Sequence, residues 1–142
     1  MNRKPKTVLI VEDSVSAIAG YVQILDSLEI DITPFLASTL SQAVQILKSE
    51  RVDLVILDLV LPDACGSEVL ERVRALNPGV PIVLVTGYPE QFDTGSADRC
   101  RVGGFFVKPF QVDAFGNTVE RFLEPLTDSR YWMPVHAVDK EA

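Results

Sequence analysis

The sequence contains a small set of side chains that could carry out metal-dependent phosphate chemistry. Each of them comes at the end of a short apolar segment, in a place where a packed core would not favour a charge or a hydroxyl. The set comprises Glu12, Asp13, Asp58, Thr86 and Lys108. Asp58 is the most unusual member, because it interrupts the apolar run Leu54–Leu61 and a lone buried charge is costly.

These residue types suit phosphoryl transfer beside a divalent cation. Three carboxylates held close together repel one another, and Mg2+ prefers oxygen ligands and commonly bridges carboxylates to phosphate. Lys108 offers a point charge for phosphoryl oxygens, and the Thr86 hydroxyl can donate a hydrogen bond to them. A carboxylate such as Asp58 can attack a phosphoryl group and form an acyl phosphate. Catalysis of that step depends mostly on positioning and charge neutralisation.

The elements that must position these groups follow from the periodicity of the chain, in which strand-like and helix-like segments alternate. Strands are predicted at Thr7–Val11, Asp31–Ala37, Val52–Leu57, Val80–Val85 and Gly104–Val107. Helices are predicted around Val15–Leu28, from Thr39 or Ser41 to Leu47, and over Ser67–Leu76, Pro89–Arg101 and Gln111–Leu123. Short connections and right-handed crossovers then predict an α/β fold, a parallel sheet with helices on both faces. Such a sheet binds ligands beyond the carboxyl ends of its strands.

The first and last helices each carry one apolar face that we expect to pack on the sheet. In the first helix, the apolar positions are Val15, Ile18, Val22, Leu25 and Leu28. In the last helix, the inward positions are Val112, Phe115, Val119, Phe122 and Leu123.

The fourth predicted helix is the weakest of the set. Pro89–Arg101 contains Thr94, Gly95 and Ser96 and has few apolar anchors, so we expect it to be short or mobile. The turn residues of Leu61–Gly66 predict a loop after the third strand.

Composition and charge exclude several classes of protein. The length of 142 residues suits one domain, and 47% hydrophobic with 23% charged residues is ordinary for a soluble protein. No apolar run approaches the ~20 residues of a membrane helix, and no signal-peptide stretch follows the basic start. We therefore expect a cytoplasmic protein that does not interact with membranes. The net charge of −7 argues against direct nucleic-acid binding.

The cysteines and the single histidine show no pattern of a second chemical site. Cys65 and Cys100 fit no zinc or CxxC spacing and are expected to be reduced thiols. We expect Cys65 to be buried as a small apolar residue, although its closeness to Asp58 in the sequence leaves a redox role open. His136 is expected to be a surface residue rather than a phosphodonor.

Four motifs, taken in order, resemble the receiver domain of bacterial two-component response regulators. They are Val8–Asp13, Asp58–Pro62 followed by Gly66, Val85–Gly87 and Phe106–Phe110. Each is weak alone, but together, at this spacing across Thr7–Leu123, they are specific. The resemblance implies a flavodoxin-like (βα)5 fold, a doubly wound parallel five-stranded sheet with strand order 2-1-3-4-5. We expect a receiver domain over residues 1–124, followed by a tail over residues 125–142 that is too short for an output domain.

The resemblance implies a role for each residue of the acidic group. Asp58 matches the phosphoacceptor, and Asp13 matches a direct ligand of Mg2+, the implied cofactor. Glu12 matches the acidic partner that acts on the metal mainly through water. Val60 would supply a backbone carbonyl to the metal, so its side-chain type is free to vary.

The remaining matched positions concern the phosphoryl group and the switch. Lys108 matches the lysine that pairs with the phosphoryl group, and Thr86 matches the hydroxyl that follows it. The Lys108–Pro109 bond matches a bond that is typically cis in the family, and a cis bond before proline carries a modest penalty. Phe105 falls at the rotating aromatic position of the switch, but it lacks the hydroxyl of the tyrosine often found there.

Two further side chains flank the implied phosphoryl site. Val60 and Tyr88 stand two residues beyond Asp58 and Thr86, at positions that influence the approach of a hydrolytic water in receivers. An apolar and an aromatic residue there predict slow loss of the phosphoryl group.

The favoured function is a single-domain response regulator in a phosphorelay. A histidine kinase or histidine phosphotransfer protein would donate the phosphoryl group to Asp58, and a monomer or weak homodimer would signal to a downstream protein target. Its only catalysis would be its own phosphorylation and slow dephosphorylation, so it would not otherwise be an enzyme. The alternative is the N-terminal receiver of a longer transcription factor or signalling enzyme.

Two other functions are disfavoured by particular residues. An aspartyl-phosphate phosphohydrolase commonly carries a second aspartate two residues after its nucleophile, and here that position is Val60. A flavin-binding protein of the same fold would need a phosphate-holding loop after the first strand, where Glu12 and Asp13 would repel phosphate. The aromatic segment Tyr131-Trp132-Met133 is expected either to pack back on the domain or to bind a partner or a second copy.

Overall fold

The computed structural model describes residues 4–124, and five parallel strands form its central sheet. The strands are β1 (Lys6–Val11), β2 (Ile32–Ala37), β3 (Leu54–Asp58), β4 (Ile82–Thr86) and β5 (Gly104–Val107). They lie in the order β2-β1-β3-β4-β5, and every neighbouring pair is parallel. The predicted flavodoxin-like architecture and strand order are therefore confirmed.

Five α-helices connect and cover these strands. They are α1 (Val15–Ser27), α2 (Leu40–Ser49), α3 (Ser67–Leu76), α4 (Thr94–Arg99) and α5 (Val112–Leu123). Within residues 4–124, no helix is long and apolar enough to cross a membrane. The predicted tail, with Tyr131, Trp132, Met133 and His136, lies outside the described residues.

The sheet is buried on both faces because its strands are continuously apolar. All residues of β3 and β4 are buried, as expected of central parallel strands covered by helices. Side chains alternate between the two faces. In β1, Leu9 and Val11 pack toward α2 and α3, whereas Val8 and Ile10 pack toward α1 and α5. This two-sided core fixes the position of the carboxyl end of each strand, where the polar residues are found.

Two helix starts are held by side chains close to the carboxyl edge of the sheet. Ser14 caps α1, because its Oγ accepts a hydrogen bond from the Ala17 amide at 3.3 Å. The Asp63 carboxylate accepts hydrogen bonds from the Leu40 and Ser41 amides of α2, at 2.8 and 3.0 Å. These bonds lower the pKa of Asp63 below its usual value. The segment after β3 is thereby anchored to the neighbouring helix.

The predicted loop after β3 contains a short hairpin instead. Val60–Leu61 pairs with Ala64–Cys65 in antiparallel fashion, and the Gly66 amide donates to the Leu59 carbonyl at 2.7 Å. Gly66 has a φ of 69°, a left-handed conformation that favours glycine. The hairpin carries the Cys65 side chain to the surface, so the expected burial of Cys65 is wrong.

The structure overturns two expectations about the helices and confirms a third. Val15 and Val112 are 82% and 55% exposed, so their predicted inward placement is wrong. Each is the first residue of its helix. The fourth helix is short, as expected: the predicted single helix is a 3-10 turn at Pro89–Gln91 followed by Thr94–Arg99. Its mobility stays a prediction.

Candidate functional site

Three carboxylates meet at the carboxyl edge of the sheet. β1 and β3 are neighbours with Val11 paired to Leu57, so Glu12 and Asp58, the residues after this pair, lie side by side. Carboxylate oxygens of Glu12, Asp13 and Asp58 all lie within 4.8 Å of one another. Glu12 and Asp58 are buried, at 1% and 6% exposure, whereas Asp13 is exposed.

Lys108 reaches this cluster from β5. Its Nζ donates hydrogen bonds to Glu12 Oε1 at 2.7 Å and to Asp58 Oδ2 at 3.2 Å. The base of the side chain is fixed, because the Lys108 amide donates to the Thr86 carbonyl at 2.8 Å. The following peptide bond, Lys108–Pro109, is cis. One lysine therefore faces a group of three acids, and the charge balance favours a further cation.

Burial and neighbouring charges have opposing effects on the pKa values of Glu12 and Lys108. Burial raises the pKa of Glu12; the Lys108 hydrogen bond lowers it and the charge of Asp58 raises it again, so the pKa stands above its usual value. Burial lowers the pKa of Lys108, but hydrogen bonds and charges from Glu12 and Asp58 outweigh that effect and raise the pKa overall. Lys108 is therefore held in its cationic form.

Tyr21 of α1 belongs to the site, although the sequence pattern did not single it out. Its hydroxyl donates to Glu12 Oε1 at 3.5 Å, and its ring lies parallel to Phe110 with centroids 6.1 Å apart. Burial, followed by the charges of Glu12 and Asp58, raises the pKa of this phenol. The only sequence signal is that Tyr21 stands four residues before Leu25, on the buried face of α1.

The second oxygen of Asp58 is also oriented. The Val60 amide donates to Asp58 Oδ1 at 3.0 Å, so Asp58 receives one hydrogen bond on each oxygen. Above the carboxylates opens a cavity of about 630 Å3. Its lining includes Glu12, Asp13, Asp58, Val60, Tyr88 and Lys108. Of the predicted metal and phosphoryl groups, all but Thr86 therefore line one cavity.

Thr86 and Phe105 are placed differently from the cavity residues. Thr86 is fully buried, and its hydroxyl accepts a hydrogen bond from the Tyr88 amide at 3.0 Å. The Phe105 ring is partly buried and packs on Phe92, with centroids 5.1 Å apart. The switch roles of Thr86 and Phe105 stay predictions.

Comparison with known proteins identifies the family to which this chain belongs. The family model for the response regulator receiver domain matches residues 8–120. Regulatory protein LuxO of Vibrio vulnificus is 37% identical over 113 residues, which are 80% of this chain and 24% of that protein. The chain thus spans about a quarter of the length of this curated relative.

Two further similar proteins are a curated protein of which the chain covers a larger share and a solved receiver domain. Sporulation initiation phosphotransferase F of Bacillus subtilis is 30% identical over 89 residues, which are 63% of this chain and 72% of that protein. The solved signal receiver domain of a putative LuxO repressor protein from Vibrio parahaemolyticus aligns with a TM-score of 0.72 at 27% identity. That alignment covers 85% of this chain and 92% of the solved one. The chain belongs to the response regulator receiver domain family.

Proposed function

We propose that Asp58 is the phosphoacceptor of a Mg2+-dependent switch. Receiver domains are phosphoacceptor signalling domains, and the observation that carries the proposal here is the contact of Asp58 with Lys108. Asp58 Oδ2 lies 3.2 Å from Lys108 Nζ, within a cluster whose carboxylate oxygens are at most 4.8 Å apart. A structural ion pair needs one acid beside one base, and this site has two acids in excess.

The donor set fits Mg2+, a hard cation that prefers oxygen ligands and retains several waters. Asp13, Asp58 and the Val60 carbonyl would hold the ion. Glu12 would act through water, because its Oε1 already accepts from Lys108 and its Oε2 accepts from the Ser14 amide at 3.2 Å. When bound, the ion supplies charge neutralisation for phosphoryl oxygens.

The chain's own residues supply the rest of the reaction. A carboxylate oxygen of Asp58 attacks the phosphorus atom of a phosphohistidine and forms the new P–O bond. The P–N bond breaks, and the departing imidazole keeps the electron pair and takes up a proton. Lys108 balances the charge that Asp58 acquires, and we assign the Thr86 hydroxyl to the transferred group. Breaking its hydrogen bond with Tyr88 would free that hydroxyl to move.

The phosphorylated state should be long-lived. Val60 and Tyr88 both line the cavity beside Asp58, and neither offers a charged group to orient a hydrolytic water.

The partners follow from the chemistry of the donor. A histidine kinase or histidine phosphotransfer protein in the cytoplasm would supply the phosphoryl group, and a protein target would receive the signal from a monomer or weak homodimer. The coverage of LuxO favours the alternative in which the domain forms part of a longer regulator. Any DNA contact would then belong to the rest of that regulator, since the present chain has a net charge of −7. The gene sequence downstream of the Ala142 codon decides between the two architectures.

The test is phosphorylation by acetyl phosphate, followed by intact mass. With Mg2+, the wild-type chain should gain one phosphoryl group, and with EDTA it should gain none. Asp58→Asn should remain unmodified, whereas the matched variant Asp98→Asn, at an exposed aspartate of α4, should be modified like wild type. A phosphoryl group on Asp58→Asn would overturn the proposal.

A further inference from the structure

An apolar groove runs along α1 beside the turn that leads into α5. Its volume is about 650 Å3, and its walls include Ala17, Gly20, Ile24, Pro109, Phe110 and Val112. The parallel, stacked rings of Tyr21 and Phe110 form part of its floor.

The groove is open because small side chains line one wall. A Cβ atom added at Gly20 would have no atom within 4 Å, and Val112 across the groove is 55% exposed. Exposed apolar patches with a defined shape commonly mark a surface that another segment covers.

We propose that the segment Tyr131-Trp132-Met133 of the same chain covers this groove. The last helix packs beside the first, since a Cβ built at Gly116 of α5 would lie 3.6 Å from Ile24 of α1 and 3.8 Å from Leu28, the residue that follows α1. The segment that follows Glu124 therefore starts in the same layer as the groove.

The intervening chain is long enough for this contact. From Leu123 back to Val112, α5 measures about 18 Å at the rise of an α-helix. Tyr131 lies seven residues beyond Glu124, and a chain of that length spans up to about 23 Å when extended. The aromatic segment can therefore reach the end of the groove next to Pro109 and Val112.

The residue types also match the groove. The only tryptophan of the chain, a tyrosine and one of two methionines stand together in this segment. Aromatic rings bury large apolar areas while keeping a polar end near water, and methionine adapts to irregular surfaces. A second copy is a poorer occupant, because two chains of net charge −7 repel each other, whereas a tethered segment is present at high effective concentration.

Fluorescence of Trp132 tests the contact in the full unmodified chain, so the outcome does not depend on phosphorylation of Asp58. The synthetic peptide 125–142 serves as the exposed reference. Emission of the full chain should lie to the blue of the peptide and be less quenched by iodide. Emission identical to that of the peptide would overturn the proposal.

Two variants locate the contact, and each changes an exposed position so that the fold is retained. Gly20→Leu fills the groove and Val112→Glu places a charge at its edge; either should shift emission toward that of the peptide. The matched control Ala19→Leu alters the neighbouring exposed position of α1 and should leave emission unchanged. Blue-shifted emission that neither groove variant changes would contradict the proposal. Blue-shifted emission that is lost on dilution would also contradict it, because that result indicates binding between two copies.

Discussion

Replacing Asp13 with asparagine should stabilise the metal-free protein, although the residue belongs to the proposed metal site. Its carboxylate lies within 4.8 Å of those of Glu12 and Asp58, and Lys108 contacts only the latter two among the described residues. Asp13 therefore faces two negative charges and one positive charge, a net repulsion of about one unit charge.

The size of the effect follows from Coulomb's law. Two unit charges 4.8 Å apart repel by about 0.9 kcal/mol in bulk water and by about 3.5 kcal/mol at an effective dielectric constant of 20. Asp13 is exposed, so the lower figure applies more closely. The start of α1 favours a nearby negative charge by a few tenths of a kcal/mol, which leaves a gain of roughly 0.5–1 kcal/mol. For a domain of this size that is about 2–4 °C in Tm.

Thermal unfolding followed by circular dichroism measures this change. In EDTA, Asp13→Asn should melt above wild type, and added Mg2+ should raise the Tm of wild type more than that of the variant, since ligand binding stabilises in proportion to affinity. The matched control is Asp113→Asn, at an exposed acid in the first turn of α5, which should not melt higher. A lower Tm for Asp13→Asn in EDTA, or equal stabilisation of variant and wild type by Mg2+, would refute the reasoning.

Three further perturbations test separate parts of the structure. Because the folded pKa of Lys108 is raised above the unfolded value of 10.5, its contribution to stability is complete below that pH and is lost as pH rises through the folded pKa. Between about pH 10 and 12, the free energy of unfolding measured with urea should therefore fall more steeply with pH for wild type than for Lys108→Met. An equal dependence on pH in the two proteins would contradict this. Tyr21→Phe keeps the ring stack and removes a long hydrogen bond, so its cost in urea unfolding should stay below about 1 kcal/mol, against roughly 3–5 kcal/mol for Tyr21→Ala; similar costs would show that the ring is not the main contributor. Polar replacement of both Val60 and Tyr88 should shorten the lifetime of the acyl phosphate, measured by its decay in intact mass. An unchanged lifetime would show that these side chains do not slow hydrolysis.

The position of the site could be predicted because it depends on topology. Parallel strands end at a common edge, so Glu12, Asp58 and Lys108 were expected at the same edge once β1, β3 and β5 were recognised. Their identities were sufficient to suggest phosphate chemistry, because an acid inside an apolar strand is hard to explain by packing and a lysine beside several acids suits phosphoryl oxygens.

The features that sequence reasoning missed depend on distances that periodicity does not contain. Helical spacing assigns Val15 and Val112 to a face, but it does not reveal that the first residue of each helix is exposed. The strands of the hairpin after β3 have two residues each, too few for any alternation to be visible, so the exposure of Cys65 was not foreseen. Tyr21 contacts Glu12 through tertiary packing, which its place in an apolar stripe does not indicate.

The proposed switch requires that Asp58 itself carries the phosphoryl group, and the position of that group can be determined directly. After reaction with acetyl phosphate and Mg2+, borohydride reduces an acyl phosphate of aspartate to homoserine, and peptide mapping identifies the altered residue. Homoserine is expected at position 58 alone, and none when EDTA replaces Mg2+. Homoserine at position 13, or at any other acidic position in place of 58, would contradict this expectation.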